Sequence, residues 1–130
     1  MQFLFNDLCP QSFYGIYDYW GLPKPGLKAM LESNMPVGIF LKYSREGVDA
    51  IYAVNDGDET LGALVCEYIF TNGEDNVIAS ESVEIHMGAD TRVECTKLKL
   101  DMQSSGVVNC ALILKADDQV IAANHYEDLF

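Results

Sequence analysis

Residues 36–130 alternate apolar and polar side chains in short runs, and this pattern constrains the fold more than any other feature. Turn sequences such as Asn72-Gly73 separate the runs. The predicted strands are residues 37–43, 48–55, 61–71, 77–85, 91–100, 107–115 and 120–126. Seven strands at this spacing predict an antiparallel β-sandwich of the immunoglobulin-like type. The Cys…Trp…Cys signature of antibody domains is missing, because the only tryptophan is Trp20. Packing alone is therefore expected to hold the sandwich together.

The alternation of apolar and polar residues is interrupted once in the fifth predicted strand, residues 91–100. Val93 falls on one parity of the strand, whereas Leu98 and Leu100 fall on the other. Because side chains of a strand alternate between its faces, such a change requires one extra residue. The sequence therefore predicts a β-bulge between residues 93 and 98.

Residues 1–34 follow a different pattern and indicate the end of a larger domain. Residues 1–5 are apolar except for Gln2, as in a strand that is buried on both faces. Residues 6–17 are rich in turn formers and predict a loop. A single strand of this kind has no neighbours with which to pair. We therefore expect that part of a closed domain has stayed attached to the domain that follows.

A short helix is predicted next. Pro23 and Pro25 suit its start, where a missing N–H and a fixed φ do no harm. Apolar side chains then recur at helical spacing, namely at Leu27, Met30 and Leu31. Pro36 disfavours the helical conformation at Met35 and so ends the helix.

The composition excludes several classes of function. Twenty acidic residues against eight basic ones give a net charge of −12, which repels nucleic-acid phosphates. No apolar run approaches the ~18–20 residues that a membrane span needs. Four cysteines without C-x-x-C spacing, and only two histidines, do not predict a zinc site. We therefore expect no cofactor, no metal and neither nucleic acid nor membrane as a partner.

Other polar motifs have ordinary structural explanations. Residues 56–59 (Asp-Gly-Asp-Glu) lack the spacing of a calcium loop and predict a solvated hairpin. His86 and His125 stand alone at strand ends and are expected at the surface. Three of the cysteines lie within apolar strand patterns, which is typical of buried thiols; they are Cys66, Cys95 and Cys110.

Several segments resemble family 2 glycoside hydrolases, most closely the β-mannosidase-like and β-galactosidase-like enzymes. The last barrel strand of that family ends in a pattern like W-x-x-N-D-x-W-P, followed by D-Y-x-G-x-P-K-P-x-x-x-A-L and later by V-N-D. This chain has Phe3-Leu-Phe-Asn-Asp-Leu-Cys-Pro10, Asp18-Tyr-Trp-Gly-Leu-Pro-Lys-Pro25, Ala29-Met30 and Val54-Asn-Asp56. The matches occur in the same order along nearly the whole chain.

The resemblance implies two domains of different origin. Residues 1–34 would be the last strand and helix of a (β/α)8 barrel, and residues 35–130 an immunoglobulin-like accessory domain. The family hydrolyses glycosides with retention, using two glutamates about 5–5.5 Å apart. Both glutamates would precede Met1, so the chain alone is expected to be inactive. Its partners would be the rest of the barrel and, in the parent enzyme, a carbohydrate.

The resemblance also places candidate substrate-rim residues at the end of the first strand. They are Phe3, Asn6, Asp7 and Cys9. Asn6 and Asp7 would hydrogen-bond sugar hydroxyls or orient neighbouring loops. The family usually has tryptophan where this chain has Phe3 and Cys9, so the sugar differs from a mannoside or the loop no longer contacts sugar.

Three aromatic residues leave two interpretations open. Tyr17, Tyr19 and Trp20 either stack on a sugar or form a seam between the barrel and the sandwich, and the seam is the more common arrangement. The first interpretation makes the chain a stand-alone carbohydrate-binding or adhesion module. Removing the barrel would expose the apolar side chains of residues 1–34. We expect these to fold back onto the sandwich or to mediate self-association.

Overall fold

The computed structural model describes residues 4–10, 15–44, 46–101 and 105–129. The chain divides into two compact units, Met1–Met35 and Pro36–Phe130. The first, the N-terminal unit, contains β1 (Leu4–Asn6), β2 (Gly15–Tyr17) and α1 (Pro25–Ser33). The second, the sandwich, contains β3 (Val37–Tyr43), β4 (Gly47–Asn55), β5 (Gly62–Thr71), β6 (Val77–Met87), β7 (Thr91–Asp101), β8 (Asn109–Ala116) and β9 (Gln119–Tyr126).

The N-terminal unit pairs its two short strands in parallel. Leu4 lies opposite Gly15, and Asn6 lies opposite Tyr17. The expectation that residues 6–17 form a loop throughout is therefore wrong at its end. Ile16 gives a physical reason for the difference, because its side chain is buried and its burial favours an ordered strand over a solvated loop.

Helix α1 begins with Pro25 as its first helical residue, as predicted. The Asn34 side chain ends it by donating a hydrogen bond from Nδ2 to the carbonyl of Met30 at 2.6 Å. No residue of the helix is buried, and Leu31 of the predicted apolar stripe is 58% exposed. Among the described residues, no helix is long and apolar enough to span a membrane.

The sandwich consists of two antiparallel sheets. One has the order β3-β4-β7 and the other the order β6-β5-β8-β9. The alternating residues of β5 point inward as predicted, since Leu64, Cys66 and Phe70 are buried. The predicted strand bounds differ from the observed ones by at most two residues. The predicted immunoglobulin-like β-sandwich is therefore confirmed.

The parity break in β7 corresponds to an irregular pairing with β4. Ile51 pairs with Thr96, but the next residue of β4, Tyr52, pairs with Glu94. Cys95 is the additional residue, and its side chain is buried. Because of this extra residue, the core-facing positions of β7 change from the odd-numbered Val93 to the even-numbered Leu98, as a bulge requires.

Three thiols lie in the core between the sheets, as the pattern predicts. Cys66, Cys95 and Cys110 are buried and in the free thiol form. Burial raises the pKa of the Cys110 thiol to about 12. A hydrogen bond with Cys95, followed by burial, raises the pKa of Cys66. Both thiols are therefore protonated and unreactive at neutral pH.

Side chains of β9 join the two sheets at one edge of the sandwich. Asn124 donates from Nδ2 to the carbonyl of Ile39 at 3.1 Å, and the Leu41 N–H donates to the Tyr126 hydroxyl at 3.1 Å. These bonds satisfy backbone groups of β3 that face away from β4. They cover an edge that would otherwise be open to pairing with another strand.

Tyr126→Phe should lower the free energy of unfolding by about 1–3 kcal/mol, because the Leu41 N–H loses its acceptor in a buried position. Urea denaturation followed by circular dichroism would measure the change. The matched control is Tyr43→Phe, since Tyr43 is exposed and its ring packs edge-on against Tyr126 at 5.9 Å. This control should change stability by less than about 0.5 kcal/mol. Equal effects of the two substitutions would contradict a role for the Tyr126 hydroxyl.

Candidate functional site

The predicted rim residues lie at the end of β1. Asn6 is the last residue of the strand and is exposed, and Cys9 is also exposed. Asp7 differs from both, because it is 1% exposed. Phe3 lies outside the described residues. The rim segment therefore presents Asn6 and Cys9 to solvent and encloses the carboxylate between them.

The Asp7 carboxylate pairs with a residue that sequence reasoning did not select. Lys24 Nζ forms an ion pair with Asp7 Oδ2, and the Lys24 side chain is itself only 18% exposed. Apart from this ion pair, no described residue donates a hydrogen bond to either carboxylate oxygen. Asp7 therefore faces Lys24 rather than solvent. We refer to this pair as the Asp7–Lys24 clasp.

Backbone hydrogen bonds support the clasp on both sides. The Asp7 N–H donates to the carbonyl of Tyr17 at 3.1 Å, and the Lys24 N–H donates to the carbonyl of Ile16 at 2.8 Å. Strand β2 therefore lies between the two charged residues and holds the backbone of each. The clasp joins the N-D and P-K-P segments of the sequence, which are 17 positions apart. The only sequence signal for it was the lysine held between two prolines.

Gly15 leaves the space that the clasp needs. A Cβ atom at this position would overlap Asp7 Oδ1 and would lie 2.8 Å from the carbonyl oxygen of Tyr17. Both contacts are too close for a non-bonded carbon and oxygen. Since the Asp7 side chain is enclosed, it cannot move aside to make room. The sequence shows this glycine only as a turn former.

Gly15→Ala is therefore expected to disrupt β2 and the clasp together. Hydrogen–deuterium exchange would show this as lost protection of the Asp7 and Lys24 amides. Gly26→Ala is the matched control, because a Cβ at this helical position meets nothing within 4 Å. Alanine there should be neutral or should stabilise α1 by up to about 1 kcal/mol. Unchanged protection in Gly15→Ala would show that Asp7 is not held as described.

The three predicted aromatic residues do not form a single patch. The Tyr17 ring packs against Phe5, with centroids 4.9 Å apart. Tyr19 and Trp20 form a separate edge-to-face pair, with centroids 5.6 Å apart and an interplanar angle of 86°. Tyr19 is 51% exposed and Trp20 is 70% exposed. We call these two residues the aromatic tip.

Asp18 organises the loop that carries the aromatic tip. Its Oδ1 accepts hydrogen bonds from the N–H groups of Trp20 and Leu22, at 2.9 and 2.8 Å. Its own N–H donates to the carbonyl of Leu22 at 2.8 Å, and the Gly21 N–H donates to its carbonyl at 3.1 Å. This is the arrangement for which aspartate is favoured in turns. Gly21 has φ of 80°, which a residue with a side chain rarely adopts.

In the sandwich, Asn55 connects two loops from a buried position. It is 1% exposed, and its Nδ2 donates to the carbonyls of Glu59 and Gly88 at 2.9 and 2.8 Å. Its Oδ1 accepts from the Gly57 N–H at 3.0 Å. The side chain thus uses both its donor and its acceptor groups. The V-N-D segment marked this position in the sequence, but only the structure shows what the amide binds.

A groove of about 570 Å³ lies on the surface of the sandwich, with charged side chains of both signs along it. Glu84, His86, Asp117 and Asp118 are exposed there, and Lys115 pairs with Glu67 at 2.7 Å. His125 is also exposed, so both histidines lie at the surface as expected. In the described part of the chain, no group of His, Cys, Asp and Glu is arranged to hold a metal ion, and this includes residues 56–59.

Two solved glycosidase structures contain a segment with this fold. A β-D-mannosidase from Dictyoglomus thermophilum matches 96% of this chain with a TM-score of 0.74 and 18% identity. An exo-chitosanase from Amycolatopsis orientalis matches 95% of it with a TM-score of 0.75 and 13% identity. The chain therefore has the fold of a segment of each of these two structures. No family model and no curated protein matches the sequence.

At 96% and 95% coverage, each match includes residues of both units of the chain. This chain spans 15% of the mannosidase and 14% of the chitosanase. It therefore corresponds to a small part of either enzyme. The β-sandwich accounts for most of that part, since it contains 95 of the 130 residues, from Pro36 to Phe130.

Proposed function

We propose that this chain is the non-catalytic C-terminal region of a retaining glycoside hydrolase of the β-mannosidase or β-galactosidase type. The N-terminal unit supplies the last strand and helix of a (β/α)8 barrel, and the sandwich braces the barrel. The observation that carries the proposal is the fold shared over 96% and 95% of this chain with two glycosidases. The ordered sequence motifs, from Asn6-Asp7 to Val54-Asn-Asp56, support it as well.

Within the parent enzyme, Asn6 and Asp7 take different roles. Asn6 lies exposed at the end of β1, where barrel enzymes place side chains that contact substrate. Its amide hydrogen-bonds a sugar hydroxyl. Asp7 is enclosed and paired with Lys24, so it positions the rim segment and does not touch sugar. The acid/base and nucleophilic glutamates come from the rest of the barrel.

The genomic DNA upstream of the Met1 codon provides a direct test. We expect an in-frame (β/α)8 barrel that carries a glutamate at the ends of two of its strands. An in-frame stop codon or an unrelated domain in that position would overturn the proposal. This test does not require the isolated chain to be active or to bind anything.

A complementation assay tests whether the chain is non-catalytic and the barrel supplies the hydrolytic activity. The chain alone should not hydrolyse nitrophenyl β-mannoside or β-galactoside above the buffer rate. Co-expression with the upstream barrel as a separate chain should restore hydrolysis. Asn6→Ala should then lower kcat/KM in the complex, whereas Asn76→Ala, in an exposed sandwich turn, should leave it unchanged. Hydrolysis by the chain alone would contradict its non-catalytic role.

A further inference from the structure

The aromatic tip has the exposure of a binding group rather than of a core residue. Trp20 is the only tryptophan among 130 residues, yet 70% of it is exposed, and Tyr19 beside it is 51% exposed. Their rings stand at 86° to one another in an edge-to-face pair. Large aromatic side chains are the residues that most often anchor a ligand or partner.

The backbone holds this pair in place before any ligand arrives. The Asp18 carboxylate binds the N–H groups of both Trp20 and Leu22. A single antiparallel β-bridge between Tyr17 and Pro23 closes the base of the loop. Binding at such a loop loses little conformational entropy, because its backbone is already ordered.

The two rings also have polar groups that the protein does not use. Within the described residues, neither the Tyr19 hydroxyl nor the Trp20 indole N–H forms a hydrogen bond. A matching ligand needs a flat apolar face for the indole and hydroxyl groups for these two donors. The net charge of −12 disfavours an anionic ligand. A neutral pyranose ring meets all of these requirements.

We propose that the aromatic tip binds a neutral pyranoside, with the C–H face of the sugar against Trp20 and a sugar hydroxyl bound to the Tyr19 hydroxyl. The proposal does not rest on the proposed function. It requires only that the tip is open to solvent, as it is in this chain. It also assigns no binding role to Tyr17, whose ring packs against Phe5.

The single tryptophan makes the test direct, because the intrinsic fluorescence of the chain reports on the tip alone. Titration with methyl β-D-mannopyranoside, methyl β-D-glucopyranoside and methyl β-D-galactopyranoside should change Trp20 emission saturably, with half-saturation in the millimolar range. Sorbitol is the matched control ligand, since it has similar hydroxyls but no rigid ring face. An equal response to sorbitol, or no saturable response to any pyranoside, would overturn the proposal.

Substitutions in this loop distinguish sugar binding by the aromatic tip from effects of its neighbouring residues. Tyr19→Ala keeps the reporter and should weaken binding about tenfold or more. Trp20→Ala should abolish the heat of binding in calorimetry. Leu22→Ala alters an exposed apolar residue of the same loop and should bind as the unaltered chain does. Equal weakening by Leu22→Ala would overturn the proposal. So would a blue shift of Trp20 emission that depends on protein concentration without sugar, since it would identify the tip as a protein contact.

Discussion

Replacing Lys24 with methionine is expected to unfold the N-terminal unit while the sandwich stays folded. The substitution keeps the length of the side chain but leaves the Asp7 carboxylate buried without a cation. Removing one partner of a buried ion pair costs about 3–5 kcal/mol. A unit of about 35 residues has too small a core to absorb that cost.

The sandwich should not respond, because every residue of the buried core cluster lies between Ile39 and Leu114. Hydrogen–deuterium exchange distinguishes the two units. The amides of Asp7 and Lys24, which donate to Tyr17 and Ile16, should lose protection, whereas those of β5 and β8 should keep theirs.

An exposed ion pair on α1 provides the control for this substitution. Lys28 and Glu32 lie 3.7 Å apart, with side chains 83% and 56% exposed. Lys28→Met should cost less than about 0.5 kcal/mol, because surface pairs of this kind contribute little. If Lys24→Met and Lys28→Met gave the same exchange pattern, the clasp would not stabilise the N-terminal unit.

Asn55→Asp should strongly destabilise the sandwich. It replaces the two N–H donors that bind the carbonyls of Glu59 and Gly88 with a carboxylate oxygen. Two carbonyl oxygens would then face a buried negative charge. We expect the free energy of unfolding to fall by about 3 kcal/mol or more.

Urea denaturation would show the loss as a lower midpoint with a similar slope. Burial raises the pKa of the new carboxyl above that of the unfolded chain, so the folded variant binds a proton more tightly. Its stability relative to the unaltered chain should therefore recover in part as the pH falls. Asn76→Asp, in an exposed turn, should change stability by less than about 0.5 kcal/mol. A loss in that control as large as in Asn55→Asp would make the added charge, rather than the lost hydrogen bonds, the cause.

The sandwich was predictable because its information is local. Alternation in β5 specifies which side chains are buried, and Asn72-Gly73 specifies where the chain turns. Even the bulge at Cys95 followed from the parity of neighbouring apolar residues. Packing then required only that the apolar faces meet.

The N-terminal unit was less predictable because its interactions are not local. Strand β2 has only three residues, and nothing in them indicates parallel pairing with β1. The charge partner of Asp7 lies 17 positions away, and no periodic pattern links the two. The sequence placed Tyr17 with Tyr19 and Trp20, but the alternation of β2 turns the Tyr17 ring toward Phe5 instead. Such distant contacts require coordinates.

In the loop from Asp18 to Leu22, the residues that determine the backbone conformation are not the residues that present side chains to solvent. Asp18 and Gly21 determine the course of its backbone, whereas the side chains at positions 19 and 20 take no part in holding it. Mutations at these two positions are therefore free to accumulate without disturbing the strands below. In such a lineage, new recognition properties can evolve at the tip while the architecture remains the same.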